Sequence, residues 1–108
     1  MISLEDFEKI DMRVGTIIDV CINKGAKKPA YKLRIDLGDI GVKESSPQIT
    51  ELYQPEDLIG KSIVLVVNFP SIRISEVKSE VRILGALTSN CCSLLTVDKH
   101  AKNGDKIA

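Results

Sequence analysis

The chain contains no tryptophan, only two tyrosines and two phenylalanines, and a single histidine in 108 residues. So few aromatic rings limit base stacking, because each stacked base needs its own ring. The histidine has no serine or cysteine partner in a recognisable catalytic context, and no glycine-rich phosphate loop occurs. These absences favour a binding module over an enzyme, and we expect no cofactor.

Long apolar runs and a disulfide framework are also missing. No segment approaches the roughly 20 apolar residues of a membrane-spanning helix, and the first six residues include acids where a secretory signal is basic and then apolar. Three cysteines, with Cys91 directly before Cys92, do not pair evenly. Adjacent cysteines are also poorly spaced to bind one ion together with Cys21 or His100. We therefore expect no metal site and a reduced, cytoplasmic location.

The net charge is zero, with 15 basic and 15 acidic residues, which weakens any expectation of general nucleic-acid affinity. The charges are unevenly spread, however. Residues 24–34 contain no acid and these five cations: Lys24, Lys27, Lys28, Lys32 and Arg34. Because the electrostatic field falls off within about 8 Å at physiological salt, such a stretch can bind phosphate locally. On charge alone, a solvated lysine-rich loop is the favoured explanation of the same residues.

Alternation of apolar and polar residues predicts strands over 12–20 and 31–37. The second pattern places Lys32 and Arg34 on the face opposite Tyr31, Leu33 and Ile35. A glycine within the first strand, at position 15, predicts a bulge or a tight bend. Shorter patterns predict further strands over 42–45, 62–68, 81–87 and 93–97.

Two helices are expected. Ser3 and Asp6 form a capping pattern for a helix over 4–10, whose apolar residues Leu4, Phe7 and Ile10 share one face. So short a helix needs a partner for that face, either its own barrel or a second subunit. Pro47 after a serine predicts the second helix, over 47–59.

About five short strands, with a helix inserted between the third and the fourth, predict an all-β fold. The expected architecture is a five-stranded OB-fold barrel with a short inserted helix and a short N-terminal helix. One domain spans residues 1–108, divided into a helix (1–10), a barrel (11–97) and a C-terminal tail (98–108). A barrel of the SH3 type is the alternative, which the inserted helix disfavours. Neither barrel fixes a function, because such folds bind nucleic acids, sugars or proteins.

Five motifs occur in order along the chain. They are Asp-Met-Arg-Val-Gly at 11–15, Lys-Pro-Ala-Tyr-Lys-Leu-Arg-Ile-Asp at 28–36, Ser-Ser-Pro-Gln-Ile-Thr at 45–50, Val-Asn-Phe-Pro at 67–70 and Ser-Glu-Val at 79–81. With these motifs the chain resembles the tRNA-binding OB-fold domains, and most closely their CsaA-type, export-related chaperone branch. Synthetase-appended domains usually read Ser-Glu-Gly-Met where this chain reads Ser-Glu-Val-Arg. The resemblance therefore implies either tRNA binding or chaperoning of unfolded, pre-secretory polypeptides.

The resemblance also implies positions for these activities. The residues expected to bind tRNA or other structured RNA are Lys32, Arg34, Asn68, Phe69, Arg73, Ser79 and Glu80. The alternative peptide site comprises Phe69, Pro70 and Ile72. Members of this length form two-fold homodimers, and the apolar face of Leu4, Phe7 and Ile10 is the expected interface.

Overall fold

Strand β1 (Met12–Ile22) is the longest element of the computed structural model, which describes all 108 residues. Its first half pairs antiparallel with β4 (Ser62–Val66), and its second half pairs with β2 (Tyr31–Asp36). The register shifts between Ile17 and Asp19, so Ile17 is buried whereas Ile18 is exposed. The predicted strand is confirmed, and it extends two residues further than its alternation indicated.

The sheet has five antiparallel strands in the order β3-β2-β1-β4-β7, with β3 at Val42–Ser45 and β7 at Arg82–Ile83. Two hairpins complete the curled sheet: β5 (Ile72–Ile74) with β6 (Val77–Ser79), and β8 (Gly85–Leu87) with β9 (Cys92–Leu94). After β6, the Glu80 N–H donates to the Glu44 carbonyl oxygen at 2.9 Å, which brings β6 beside β3. The predicted all-β OB-like barrel is confirmed.

The core fills the inside of this barrel with aliphatic side chains. Its buried members are Ile17, Tyr31, Leu33, Ile35, Leu37, Ile49, Leu58, Ile63, Leu65 and Val81. The Tyr31 hydroxyl donates to the Tyr53 carbonyl oxygen at 2.7 Å, and the Tyr53 hydroxyl accepts from the Leu94 N–H at 2.9 Å. Both tyrosines therefore pack within the barrel rather than offering a ring to a ligand.

The predicted helix over 47–59 is wrong over most of its length. Helix α2 covers only Pro55–Leu58 and begins after Gln54, whose N–H donates to the Asp57 carboxylate at 2.9 Å. The Pro47 carbonyl oxygen accepts the Tyr31 N–H at 3.1 Å, so this segment is held along β2 and cannot start a helix. A bond between residues distant in sequence thus overrides the local serine–proline signal.

Strand β4 and the strands after it are shorter than predicted. Strand β4 ends at Val66, and the pattern over 81–87 divides into β7 and β8 on either side of Leu84. The Leu84 N–H donates to the Val64 carbonyl and its own carbonyl accepts from Leu95, so the chain changes partner at this residue. The last strand begins at Cys92 rather than Ser93.

Helix α1 (Leu4–Glu8) has the predicted cap but ends two residues earlier than predicted, so Ile10 lies just beyond it. The Ser3 hydroxyl accepts from the Asp6 N–H at 3.0 Å, and the Asp6 carboxylate accepts from the Ser3 N–H at 3.2 Å. Leu4 is 73 % exposed, Ile10 is also exposed, and Phe7 is half-buried. The apolar face of the helix is thus largely uncovered within one chain. Neither helix is long and apolar enough to cross a membrane.

Gly15 is a site of close packing and not the bulge that its position suggested, since the register shift lies beyond it. A Cβ at this position would lie 2.7 Å from Ile35 Cγ2 and 2.9 Å from Leu37 Cδ2. The glycine therefore lets the side chains of β2 pack directly against the backbone of β1.

Replacing Gly15 by alanine should lower the free energy of unfolding by about 1–3 kcal/mol, because the core is already filled. Urea denaturation followed by circular dichroism measures this. The exposed neighbour Ile18 supplies the control, since Ile18→Val should stay within about 0.5 kcal/mol of the parent. Equal stability of Gly15→Ala and the parent would contradict the packing described.

Candidate nucleic-acid interface

The predicted basic residues of β2 lie on the outer face of the barrel. Lys32 and Arg34 alternate with buried Tyr31, Leu33 and Ile35, so both point away from the core. The Lys32 ammonium lies 3.6 Å from the Glu44 carboxylate. Arg34 faces Glu44 on β3 and Asp19 on β1 across the strands. Carboxylates on both neighbouring strands thus partly compensate the positive charge of this face.

Arg73 also lies on the outside, on the hairpin of β5 and β6. It pairs across the hairpin with Lys78, the residue after buried Val77, so both cations share the face turned away from the core. The Arg73 guanidinium reaches only the Glu76 carbonyl oxygen, at 3.5 Å. Lys32, Arg34 and Arg73 are therefore all outward-facing.

An apolar groove of about 930 Å³ lies beside this hairpin. Its walls are formed by residues 45–49, Phe69, Pro70, Ile72, Ile74, residues 79–83, residues 87–92 and Leu94. Phe69, Ile72 and Leu87 are large apolar residues here that are 54 %, 61 % and 89 % exposed. The three predicted peptide-site residues, Phe69, Pro70 and Ile72, come together in this groove with Ser79 and Glu80.

The Glu80 side chain binds the edge strand β3. Its carboxylate lies 3.6 Å from the Lys43 ammonium and accepts the Glu44 N–H at 3.4 Å. The side chain thus fixes the β3 edge while lining the groove and also a smaller cavity of about 430 Å³. Phe69 lines both cavities, so it stands at the boundary between them.

The Asn68 side chain binds the backbone of the segment between α1 and β1. Its amide oxygen accepts the Asp11 N–H at 3.0 Å, and its amide nitrogen donates to the Lys9 carbonyl oxygen at 2.8 Å. These bonds tie the segment after α1 to the end of β4. One N–H and one lone pair of the amide are left for a ligand.

Arg13 is a structural cation whose partner the sequence did not reveal. Its guanidinium binds the Asp11 carboxylate, with Nε to Oδ1 at 2.6 Å, and donates to the Gly104 carbonyl oxygen at 3.1 Å. The hydrogen bond with Asp11 raises the pKa of Arg13. The motif Asp-x-Arg at the start of β1 is the signal that could have identified this pair.

No group of three or more His, Cys, Asp or Glu side chains comes together in the structure. Cys91 and Cys92 are half-buried in the groove wall, whereas Cys21 is exposed on β1.

Known proteins resemble the chain over its whole length. The family described as "Putative tRNA binding domain" matches residues 12–106. The CsaA chaperone protein of Picrophilus torridus is 53 % identical, with a TM-score of 0.94 and 100 % of each chain covered. Chaperone CsaA of Bacillus anthracis is 46 % identical with the same TM-score, covering 100 % of this chain and 99 % of the other.

Enzymes contain a similar segment. Methionine–tRNA ligase of Methanocella arvoryzae is 38 % identical over 106 residues, which is 98 % of this chain and 15 % of the ligase. The chain thus spans about 15 % of the length of the curated relatives it matches. Because the family model covers nearly every residue from the start of β1 to the tail, the chain belongs to the tRNA-binding domain family.

Proposed function

We propose that this chain is a non-catalytic tRNA-binding module that acts as a homodimer. The proposal is carried by the outward-facing cations Lys32, Arg34 and Arg73 on a domain of the tRNA-binding family. Guanidinium and ammonium groups bind phosphate oxygens and position a nucleic acid without reading its sequence. A compact, folded RNA offers many phosphates at once to such a surface.

Base contacts would come from the groove side of the hairpin. Phe69 is half-exposed and can stack one base, which contributes about 1–3 kcal/mol. The Ser79 hydroxyl and the Glu80 carboxylate lie beside it and can pair with the edges of an unstacked base. The free capacity of the Asn68 amide adds one further contact. This division assigns affinity to the outer cations and selectivity to the groove.

The groove supports a second candidate function, the chaperoning of unfolded or pre-secretory polypeptides. Phe69, Pro70 and Ile72 offer an open apolar surface to such a ligand, and Phe69 and Ile72 are more than half exposed. Two solved structures that resemble the whole chain are those of the CsaA chaperones of Bacillus anthracis and Picrophilus torridus. An extended polypeptide would bind mainly by burying apolar side chains there.

The homodimer is proposed because the apolar face of α1 is uncovered. A helix of five residues has little stability by itself, so Leu4, Phe7 and Ile10 need burial against another surface. Each large side chain that a partner buries contributes about 1.5–3 kcal/mol. A two-fold arrangement would bring the same face of both copies together.

Replacing Lys32 and Arg34 together by alanine should weaken tRNA binding. If each contacts a phosphate, the slope of log K against log salt should fall by about two, because roughly one counterion is released per contact. Filter binding of bulk tRNA between 50 and 200 mM salt would measure this. The control Lys99→Ala/Lys102→Ala removes the same charge from the tail. Unchanged RNA affinity in the β2 variant would place the site elsewhere.

Replacing Ile72 by serine should weaken binding of an unfolded secretory precursor and leave tRNA binding unchanged, because Ile72 contributes apolar surface and no charge. Fluorescence anisotropy with a labelled precursor measures the first effect. Ile59→Ser is the matched control, since Ile59 is exposed but lies outside the groove. Equal precursor binding by both variants would remove the groove as the peptide site.

Sedimentation equilibrium at micromolar concentration should give twice the mass of one chain, 11.9 kDa. Leu4→Glu should shift the equilibrium to monomer, because a carboxylate cannot be buried unpaired in the interface. Ile59→Glu puts the same charge at another exposed aliphatic position and should stay dimeric. A parent chain that sediments as a monomer would refute the dimer.

A further inference from the structure

The C-terminal tail is bound to the first half of β1. The Gly104 N–H donates to the Val14 carbonyl oxygen at 2.8 Å, and the Val14 N–H donates to the Asp105 carbonyl oxygen at 3.0 Å. The Arg13 guanidinium donates to the Gly104 carbonyl oxygen at 3.1 Å. Both backbone polar groups of Gly104 are therefore bound within the folded chain.

An asparagine–glycine pair forms the turn of this tail. The Asp105 N–H donates to the Lys102 carbonyl oxygen at 3.0 Å and closes a four-residue turn with Asn103 and Gly104 at its centre. Gly104 has a φ of 94°, and a Cβ at this position would lie 2.7 Å from the Leu37 carbonyl oxygen. The conformation and the close contact both require glycine here.

The side chain of Asn103 is also held by β1. Its amide oxygen accepts the Thr16 hydroxyl at 2.7 Å. The backbone carbonyl oxygen of Asn103 packs against Gly38, where a Cβ would collide with it. The turn therefore leaves little room for a change in the length of its main chain.

An asparagine that precedes glycine is prone to react with its own backbone. The Gly104 nitrogen can lose its proton and form a bond to the Asn103 side-chain carbonyl carbon, while the side-chain nitrogen leaves as ammonia. Water then opens the resulting succinimide ring to isoaspartate or aspartate. A glycine nitrogen is the least obstructed, because no Cβ lies beside it. The other three asparagines of the chain precede larger residues, which are Lys24, Phe69 and Cys91.

We propose that Asn103 is a site of spontaneous deamidation, which the bound tail suppresses and a detached tail permits. In the bound tail, the Gly104 N–H is held by the Val14 carbonyl oxygen and the Asn103 amide oxygen by the Thr16 hydroxyl. The nitrogen cannot approach the side-chain carbon unless these bonds break. Because chain termini open locally at a lower free energy than core strands, opening of the tail controls the rate.

Isoaspartate at this position prevents the tail from binding again. It adds a methylene to the main chain at a turn that already contacts Gly38, and it carries a free carboxylate. The Gly38 N–H donates to the Asp36 carboxylate at 2.9 Å, so the new negative charge arises close to an existing one. Both effects oppose the return to β1. Deamidation is therefore a one-way loss of tail binding.

The rate of deamidation tests the proposal. The full chain would be incubated at mildly alkaline pH, folded or unfolded in urea, and each asparagine followed by peptide mapping with mass spectrometry. We expect Asn103 to react at least about tenfold more slowly in the folded protein. In urea, the other three asparagines should react far more slowly than Asn103. Equal rates for Asn103 in both states would overturn its protection, and no reaction at Asn103 in urea would overturn the site.

Thr16→Val removes the hydroxyl that holds the Asn103 side chain, so the folded variant should deamidate about two- to tenfold faster than the parent. Thr16→Ser keeps a hydroxyl at this position and is the matched control. Rates in urea should be the same for both variants, which separates loss of the bond from a change in chemistry. Equal rates for the two folded variants would remove Thr16 from the proposal.

Amide hydrogen exchange of the deamidated chain, separated by ion exchange through its additional charge, tests the one-way step. The Val14 and Gly104 N–H groups should exchange faster than in the parent, because their partners in the tail or on β1 are lost. The Tyr31 N–H, bound to the Pro47 carbonyl oxygen at 3.1 Å, is the control and should keep its rate. Unchanged exchange at Val14 and Gly104 would show that the modified tail binds again and would overturn this step.

Discussion

The pairing of β1 with three partners is the constraint on which the rest of the structure depends. Residues 12–16 pair with β4, residues 16–22 pair with β2, and the tail adds bonds such as Ile107 N–H to the Met12 carbonyl at 2.9 Å. One strand can serve these partners only if it coils strongly, and the register shift after Ile17 permits this. The coil carries β2 and the loop before it toward the hairpin of β5 and β6. Both candidate surfaces follow from that curvature.

The folded structure shows which cations lie beside carboxylates and which do not, and the net charge of the sequence does not. A net charge of zero hides a separation between compensated and uncompensated regions. On β2 and β3 the cations lie beside carboxylates. The Lys32 ammonium, for example, is 3.6 Å from the Glu44 carboxylate. The loop of residues 23–30 holds three exposed lysines and no acid. Because fields are screened within about 8 Å, an anion beside this loop would experience the local excess of positive charge and not the net charge of zero.

Much of the fold could be predicted because it is recorded in local patterns. Alternation over 31–37 correctly placed Lys32 and Arg34 outside, and the serine cap correctly started α1. The prediction of a helix at Pro47 was wrong, because the bond from Tyr31 is invisible in the neighbouring residues. The β5–β6 hairpin was missed for a different reason. Its strands have three residues each, and Ser75 takes the left-handed turn position where a glycine would have been a signal.

The candidate site was predictable residue by residue but not as a surface. Phe69, Pro70 and Ile72 were expected together and share the groove wall. Asn68 was expected to face a ligand, and the structure shows that most of its amide serves the chain entering β1. The loop lysines were visible as a charge run, but the β5–β6 hairpin is held against this loop only by tertiary bonds of Asn23 and Ser75. Hydrogen bonds between residues so far apart in the sequence produce no periodic pattern from which they could be predicted.

The salt dependence of binding to each of the two candidate ligands tests the central claim most directly. Parent protein would be titrated with bulk tRNA and, in parallel, with an unfolded secretory precursor over the same series of salt concentrations. The account predicts tight tRNA binding that falls steeply with salt, and weaker precursor binding that does not. No tRNA binding at low salt, together with salt-insensitive precursor binding, would contradict it and make the groove the functional site.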